Sequence, residues 1–127
     1  MIHSDIIRIA VSCGWQVSIT ACGDNSFYFD FHRLTRNGFP FTFTATMTDG
    51  RASSLVDEII SFVDALDPER YACEWMENKG DVSTARYLKA VDDMDGVRTN
   101  AWLLAVELST AADKEKFLLD LPWYRHN

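Results

Sequence analysis

Hydrophobic positions recur along this chain with two periods, and the period changes twice. From Ser4 the apolar residues Ile6, Ile9, Ala10 and Cys13 follow helical spacing, with Ser4 as cap and Asp5 in the first turn. Gly14 is the expected stop. The period then becomes two. Trp15, Val17, Ile19 and Ala21 alternate with polar partners. Phe27, Phe29 and Phe31 do the same, as do Phe39, Phe41, Phe43, Ala45 and Met47. Gly23-Asp24-Asn25 and Arg36-Asn37-Gly38 interrupt the alternation. These are three half-buried strands joined as hairpins.

The faces predict the register. A two-residue turn at Asn37-Gly38 sets Phe31 opposite Thr44, mixing core and polar residues on one face. A three-residue loop over Arg36-Asn37-Gly38, with Gly38 left-handed, pairs Phe31 with Phe43, Phe29 with Ala45 and Phe27 with Met47. A matching loop, Gly23-Asp24-Asn25, pairs Ala21 with Phe27, Ile19 with Phe29 and Val17 with Phe31. One face is then an apolar slab. The other carries the rows Gln16/His32/Thr42, Ser18/Asp30/Thr44 and Thr20/Tyr28/Thr46.

Helical spacing returns after Asp49-Gly50. Ser53 or Ser54 caps a helix whose stripe, Leu55, Val56, Ile59, Ile60, Val63 and Leu66, is the expected cover for the slab. Asp67-Pro68 opens a further helix, with Tyr71, Ala72, Trp75 and Met76 inward and Gly80 at its end. Ser83 caps a helix holding Tyr87, Leu88, Val91 and Met94, and Asp95-Gly96 breaks it. Another follows over roughly 97–111, with Ala101, Leu104, Ala105 and Leu108 inward. A short amphipathic piece from Asp113 to Leu121 leads into Pro122-Trp123-Tyr124, where packing back onto the domain is expected and an exposed contact patch is the alternative. The fold class is therefore α+β: an N-terminal helix, a three-stranded antiparallel meander, then four to five helices, one on the sheet. One domain of 127 residues is expected, with a helix and meander over 1–50 and a helical part over 51–127.

Composition narrows the function classes. Net charge is −7. Residues 1–50 hold four acids against three basic residues, and 51–127 hold fifteen against nine. An acidic chain repels phosphate backbones, so direct nucleic-acid binding is disfavoured. The order helix–strand–strand–strand–helix matches a double-stranded-RNA module. That module needs basic residues where this chain reads Ser53-Ser54-Leu55-Val56-Asp57-Glu58. No apolar run is long enough to span a membrane. The opening Met1-Ile2-His3-Ser4-Asp5 lacks the pattern of a secretion signal. A cytoplasmic location is expected, with no membrane association.

Cys13, Cys22 and Cys73 are odd in number and widely spaced, so buried reduced thiols are expected rather than a disulfide framework or zinc site. In Asp92-Asp93-Met94-Asp95-Gly96 the glycine fits position six of a calcium loop. Position one then falls on Val91 and position twelve on Trp102, so a solvated helix end is expected instead. His3, His32 and His126 lack metal spacing. Neither cofactor nor metal is expected. Aromatic residues are numerous, Trp15, Trp75, Trp102 and Trp123 among them, and most are expected at core positions.

One constellation carries chemistry. Asp30 and His32 are neighbours on the polar sheet face, and Ser18 adds a hydroxyl, the residue types of acid–base or nucleophilic catalysis. The competing reading is an exposed face of strand-favouring residues that serves as a contact surface, formed by Gln16, Thr20, Tyr28, Thr42, Thr44 and Thr46.

Three segments carry a resemblance: Phe29-Asp30-Phe31-His32-Arg33-Leu34-Thr35-Arg36-Asn37-Gly38-Phe39-Pro40-Phe41, Leu55-Val56-Asp57-Glu58-Ile59-Ile60, and Asp67-Pro68-Glu69-Arg70-Tyr71-Ala72-Cys73-Glu74-Trp75. Over about residues 27–108 the chain resembles small accessory proteins of uncharacterised role, carried on conjugative and integrated mobile elements of gut bacteria. The resemblance brings no catalytic residues. It implies a factor that binds host or element proteins; some such accessory proteins resemble anti-restriction or anti-defence factors. The expectation is a non-enzymatic interaction module with a protein partner. The alternative is a small enzyme on the Asp30/His32/Ser18 face.

Overall fold

In a computed structural model, residues 1–80 and 83–120 are described, with the side chains of 117–120 left aside. The order is α1 (His3–Ser12), β1 (Gln16–Gly23), β2 (Ser26–Leu34), β3 (Pro40–Met47), α2 (Ala52–Ala65), α3 (Pro68–Lys79) and α4 (Thr84–Asp120). The strands form one antiparallel sheet in the order β1-β2-β3. The fold is α+β, with three helices after the sheet among the described residues rather than four or five.

The register follows the face argument. Phe31 pairs with Phe43, Phe29 with Ala45 and Phe27 with Met47. On the other side Val17 pairs with Phe31, Ile19 with Phe29 and Ala21 with Phe27. The β2–β3 loop is the three-residue loop expected, and Gly38 takes φ +86. The β1–β2 loop differs. Gly23 pairs with Ser26, and the register slips between Ala21 and Gly23. The reversal is left to Asp24 and Asn25, with Asn25 at φ +52. Asparagine enters the left-handed region more readily than most residues, so the glycine is free to remain in the strand.

The slab is buried at its centre. Phe29, Phe31, Phe43, Ala45 and Met47 are all enclosed, while Val17, Ile19 and Phe27 toward the β1 edge are only partly covered. α1 packs along β1, α2 along β3, and α4 against all three other helices. Phe62 of α2 stacks on Phe43 with centroids 4.2 Å apart. α4 supplies Met94, Val97, Ala101, Leu104, Ala105 and Leu108 to the same core. Trp15 is buried and donates from its indole to the Asn100 carbonyl at 3.3 Å. The Arg33 guanidinium lies over its ring, 4.9 Å from the centroid, and burial lowers the Arg33 pKa.

Helix ends separate the readable caps from the misread ones. Asp67 Oδ1 accepts from the Glu69 and Arg70 amides, Pro68 opens α3, and Gly80 closes it at φ +67. Ser83 Oγ accepts from the Arg86 amide. α1 ends as expected, with Gly14 at φ +86 and the Trp15 amide reaching back to the Ala10 carbonyl at 2.9 Å. Ser4 does not cap α1, which starts one residue earlier and has no side-chain cap. Neither Ser53 nor Ser54 caps α2, which begins at Ala52. Ser54 Oγ instead accepts from the Thr48 amide at 2.8 Å and donates to the Arg51 carbonyl at 2.7 Å, fixing the turn into the helix.

The largest correction is at Gly96. α4 runs from Thr84 to Asp120 without a break, so the expected fourth helix, fifth helix and amphipathic piece are one element. The buried positions Met94, Val97, Ala101, Leu104 and Leu108 keep one phase across the glycine. A single mid-helix glycine costs only about 1 kcal/mol, less than burying one of these side chains gains. Other corrections follow from helix geometry. On α3, Ala72 and Met76 take the buried line; Tyr71 is exposed and Trp75 half-buried. Leu88 is exposed, Tyr87 and Val91 are half-buried, and Trp102 faces outward. The thiols are not all buried: Cys13 is half-buried, and Cys22 and Cys73 are exposed. Leu121, Trp123, Tyr124 and His126 lie outside the described residues.

Candidate functional site

The polar sheet face is assembled in the rows that the register requires. Gln16, His32 and Thr42 align, as do Ser18, Asp30 and Thr44, and Thr20, Tyr28 and Thr46. His32 bridges all three strands. Its Nε2 lies 3.3 Å from Ser18 Oγ and its Nδ1 2.7 Å from Thr42 Oγ1. Asp30 is bonded elsewhere: Thr44 Oγ1 donates to its Oδ1 at 2.5 Å. The three residues singled out for chemistry are therefore brought together, but the carboxylate is engaged by a threonine and does not orient the imidazole. The geometry is a Ser–His contact on an open face.

A cavity lies elsewhere, at the β2–β3 hairpin tip. It is a half-open cleft of about 720 Å³ between that tip, α3 and the first turns of α4. The tip is built by Thr35. Its amide donates to the Phe39 carbonyl at 2.7 Å, its hydroxyl accepts from the Phe39 amide at 3.0 Å, and its carbonyl accepts from the Gly38 amide. α4 then holds the tip from the side. Asp93 Oδ1 accepts from the Asn37 backbone amide at 2.9 Å and from Asn37 Nδ2 at 2.8 Å. Arg36 pairs with Asp92 at 2.6 Å. The acidic cluster is thus no solvated helix end. Asp93 is only 4% exposed and sits in mid-helix as the anchor of the hairpin.

Aromatic rings line this cleft. Phe39 comes from the hairpin tip just before β3 and Trp75 from α3, with centroids 6.2 Å apart and edge-to-face. Phe41 and Tyr71 stand 6.5 Å apart beside them. Phe39 is 54% exposed although its parity assigns it to the slab face, because it lies past the end of the packed region. Arg86 and Lys89 add positive charge on the α4 wall. No single sequence period could show this site, since its walls come from three separate segments. The available signal was an excess of aromatics at Phe39, Tyr71 and Trp75 over what one small core encloses.

A third surface lies on the outward side of α4. Trp102, Leu103 and Val106 are adjacent at helical spacing and exposed by 48%, 48% and 38%. No helix among the described residues is long and apolar enough to cross a membrane. Comparison with known protein families, characterised proteins and solved structures found no match for this chain.

Proposed function

We propose that this protein is a non-enzymatic interaction module that meets a partner protein through the outward face of α4. One observation carries the reading. Trp102, Leu103 and Val106 form an exposed apolar triplet on a helix whose opposite side is locked into the core through Ala101, Leu104, Ala105 and Leu108. A rigid helix that presents a tryptophan beside aliphatic residues is a common anchor for a partner's groove. The resemblance to mobile-element accessory proteins directs the search to bacterial host or element proteins. A host defence nuclease is its sharpest form. The test is affinity capture from a bacterial host with the wild type and with a Trp102→Ser/Leu103→Ser/Val106→Ser variant of unchanged circular dichroism. A partner held by the wild type and lost by the variant is expected. Identical captured sets would overturn the reading. Conjugation or plaque efficiency with and without the gene tests the anti-defence form, and no difference across several defence systems removes it.

A second reading rests on the Ser18–His32 contact at 3.3 Å: a small enzyme using the polar sheet face, with Asp30 beside the pair but bonded to Thr44. A Ser18→Ala/His32→Ala variant separates the two. It leaves partner capture intact under the first reading and removes any ester turnover under the second.

A further inference from the structure

The two edges of the sheet are finished differently. Pro40 opens β3 without an N–H, and α2 packs along that strand. β1 forms the other edge, and nothing among the described residues pairs with its outer side. From Gln16 to Cys22 it carries neither a charge nor a proline. Monomeric proteins normally guard an exposed edge with one or the other. We infer that β1 pairs antiparallel with β1 of a second copy of this chain, joining the two sheets edge to edge. This surface is independent of the outward face of α4.

The ladder fixes which groups are free. The Thr35 amide donates to the Phe39 carbonyl, and the β2–β3 pairs keep that register. Odd-numbered residues of β2 therefore bond toward β3 and even-numbered ones toward β1. Gln16, Ser18 and Thr20 bond to β2, while Val17 and Ile19 turn their amides and carbonyls to the open edge. Pairing centred on Ser18 sets Val17 against Ile19 of the other copy and Ser18 against its own counterpart. It keeps apolar side chains on the slab face and leaves the irregularity between Ala21 and Gly23 outside the paired stretch. It also covers Val17 and Ile19, which the single chain leaves only partly enclosed.

α1 decides what kind of partner fits. It runs back over the slab antiparallel to β1, with His3 resting on Phe27 at the far end, ring centroids 4.3 Å apart. The handedness of helix and strand turns the line His3, Ile7, Val11 toward the same edge. Ile7 is 37% exposed and Val11 59%. An extended peptide added to β1 leaves that apolar line bare. A second copy brings its own Ile7 and Val11 to cover it. Strand and helix line together cover roughly 400 Å² on each copy, the range of weak, reversible interfaces.

The experiment is sedimentation velocity of the full chain under reducing conditions from about 5 to 500 μM. A monomer–dimer equilibrium with a Kd of about 10–200 μM is expected. Ser18→Lys sets two like charges opposite each other and should weaken the dimer at least about tenfold. Val11→Lys should weaken it about fivefold without touching the strand. Both positions are exposed, so both variants keep the fold. Amide exchange at Val17 and Ile19 should slow as concentration rises, while that at Gln16, Ser18 and Thr20 stays constant. Under mild oxidation Ser18→Cys should form a covalent dimer, and Thr20→Cys should form no more than the wild type. A chain that stays monomeric to about 500 μM overturns the proposal. So does a dimer that persists in Ser18→Lys, or equal cross-linking at the two cysteine positions. A dimer lost in Trp102→Ser/Leu103→Ser/Val106→Ser also overturns it, and moves self-association to α4. Ser18→Lys leaves partner capture through Trp102, Leu103 and Val106 intact, so the two readings fail separately.

Discussion

The two hairpin tips obey the same face rule and are held in different ways. At the β2–β3 tip, Gly38 takes the left-handed position, and the loop is anchored across the chain by Asp92 and Asp93, some 56 residues away. At the β1–β2 tip, Asn25 takes the left-handed position, a slip near Cys22 absorbs one residue, and the anchor is the turn that follows β3. There the Gly50 amide donates to the Asn25 carbonyl at 2.7 Å, and the Asp49 amide reaches Ser26 Oγ at 3.4 Å. The first anchor is a side-chain carboxylate in the middle of a helix; the second is mostly backbone. The difference teaches that strand register and loop shape have separate causes. The shared apolar face sets the register in both hairpins. The loop takes whichever residue tolerates positive φ and whatever packs against it.

The hardest break falls on the helix anchor. Asp93→Ala leaves the Asn37 backbone amide without its acceptor and the Asn37 side chain with only the Lys89 carbonyl at 3.4 Å. Loss of two charge-assisted hydrogen bonds should cost about 2–3 kcal/mol. Thermal denaturation should show the loss, and hydrogen exchange at residues 36–38 should rise while exchange in β1 stays unchanged. Equal acceleration at both tips would mean that the anchors are not independent.

At the other tip the corresponding break is Gly50→Ala. Gly50 has φ +66, and an added Cβ would lie 2.5 Å from Asn25 Nδ2. The left-handed backbone costs about 1–2 kcal/mol, and the flexible Asn25 side chain must also shift. A loss of about 2 kcal/mol by chemical denaturation is expected, with faster exchange confined to residues 23–26. Gly38→Ala sharpens the contrast. Its φ is +86, but nothing lies within 4 Å of the added Cβ. Backbone strain alone should cost about 1 kcal/mol, half the effect at Gly50. Equal losses would show that contact with Asn25 contributes nothing.

The contrast also marks what could be read from the sequence. Strand pairing was legible because Phe29, Phe31 and Phe43 must share a face, and a slip of one residue would expose them all. The α3 caps were legible because Asp67-Pro68 and Gly80 act locally. The polar sheet face was legible for the same reason as its apolar counterpart. The cleft was not. Its walls meet only when α3 and α4 pack beside the hairpin tip, and Phe39 reads as core by parity although the slab ends before it. Asp93 looked like surface because charge on a helix usually is. Its burial depends on Asn37, a partner that no local rule connects to it.

Gly96 is the remaining misreading, and it yields the smallest and most diagnostic effect. Asp95-Gly96 looked like a helix break, yet α4 passes through it beside the same hairpin tip that Asp92 and Asp93 hold. An added Cβ at Gly96 would meet only Arg36 Nη2, at 3.8 Å, an ordinary contact with the end of a flexible side chain. The position has helical backbone and no positive φ. If the glycine is merely tolerated, Gly96→Ala should stabilise the protein by about 0.5–1 kcal/mol, from reduced freedom of the unfolded chain. The Arg36–Asp92 pair, at 2.6 Å, should survive, because it is made through Nη1 while the added Cβ stands only in ordinary contact with Nη2. A rise in melting temperature with unchanged exchange at 36–38 is the expected pair of results. A destabilised Gly96→Ala would mean that the hairpin tip needs the bare helix surface there, making Gly96 a third element of the anchor beside Asp92 and Asp93.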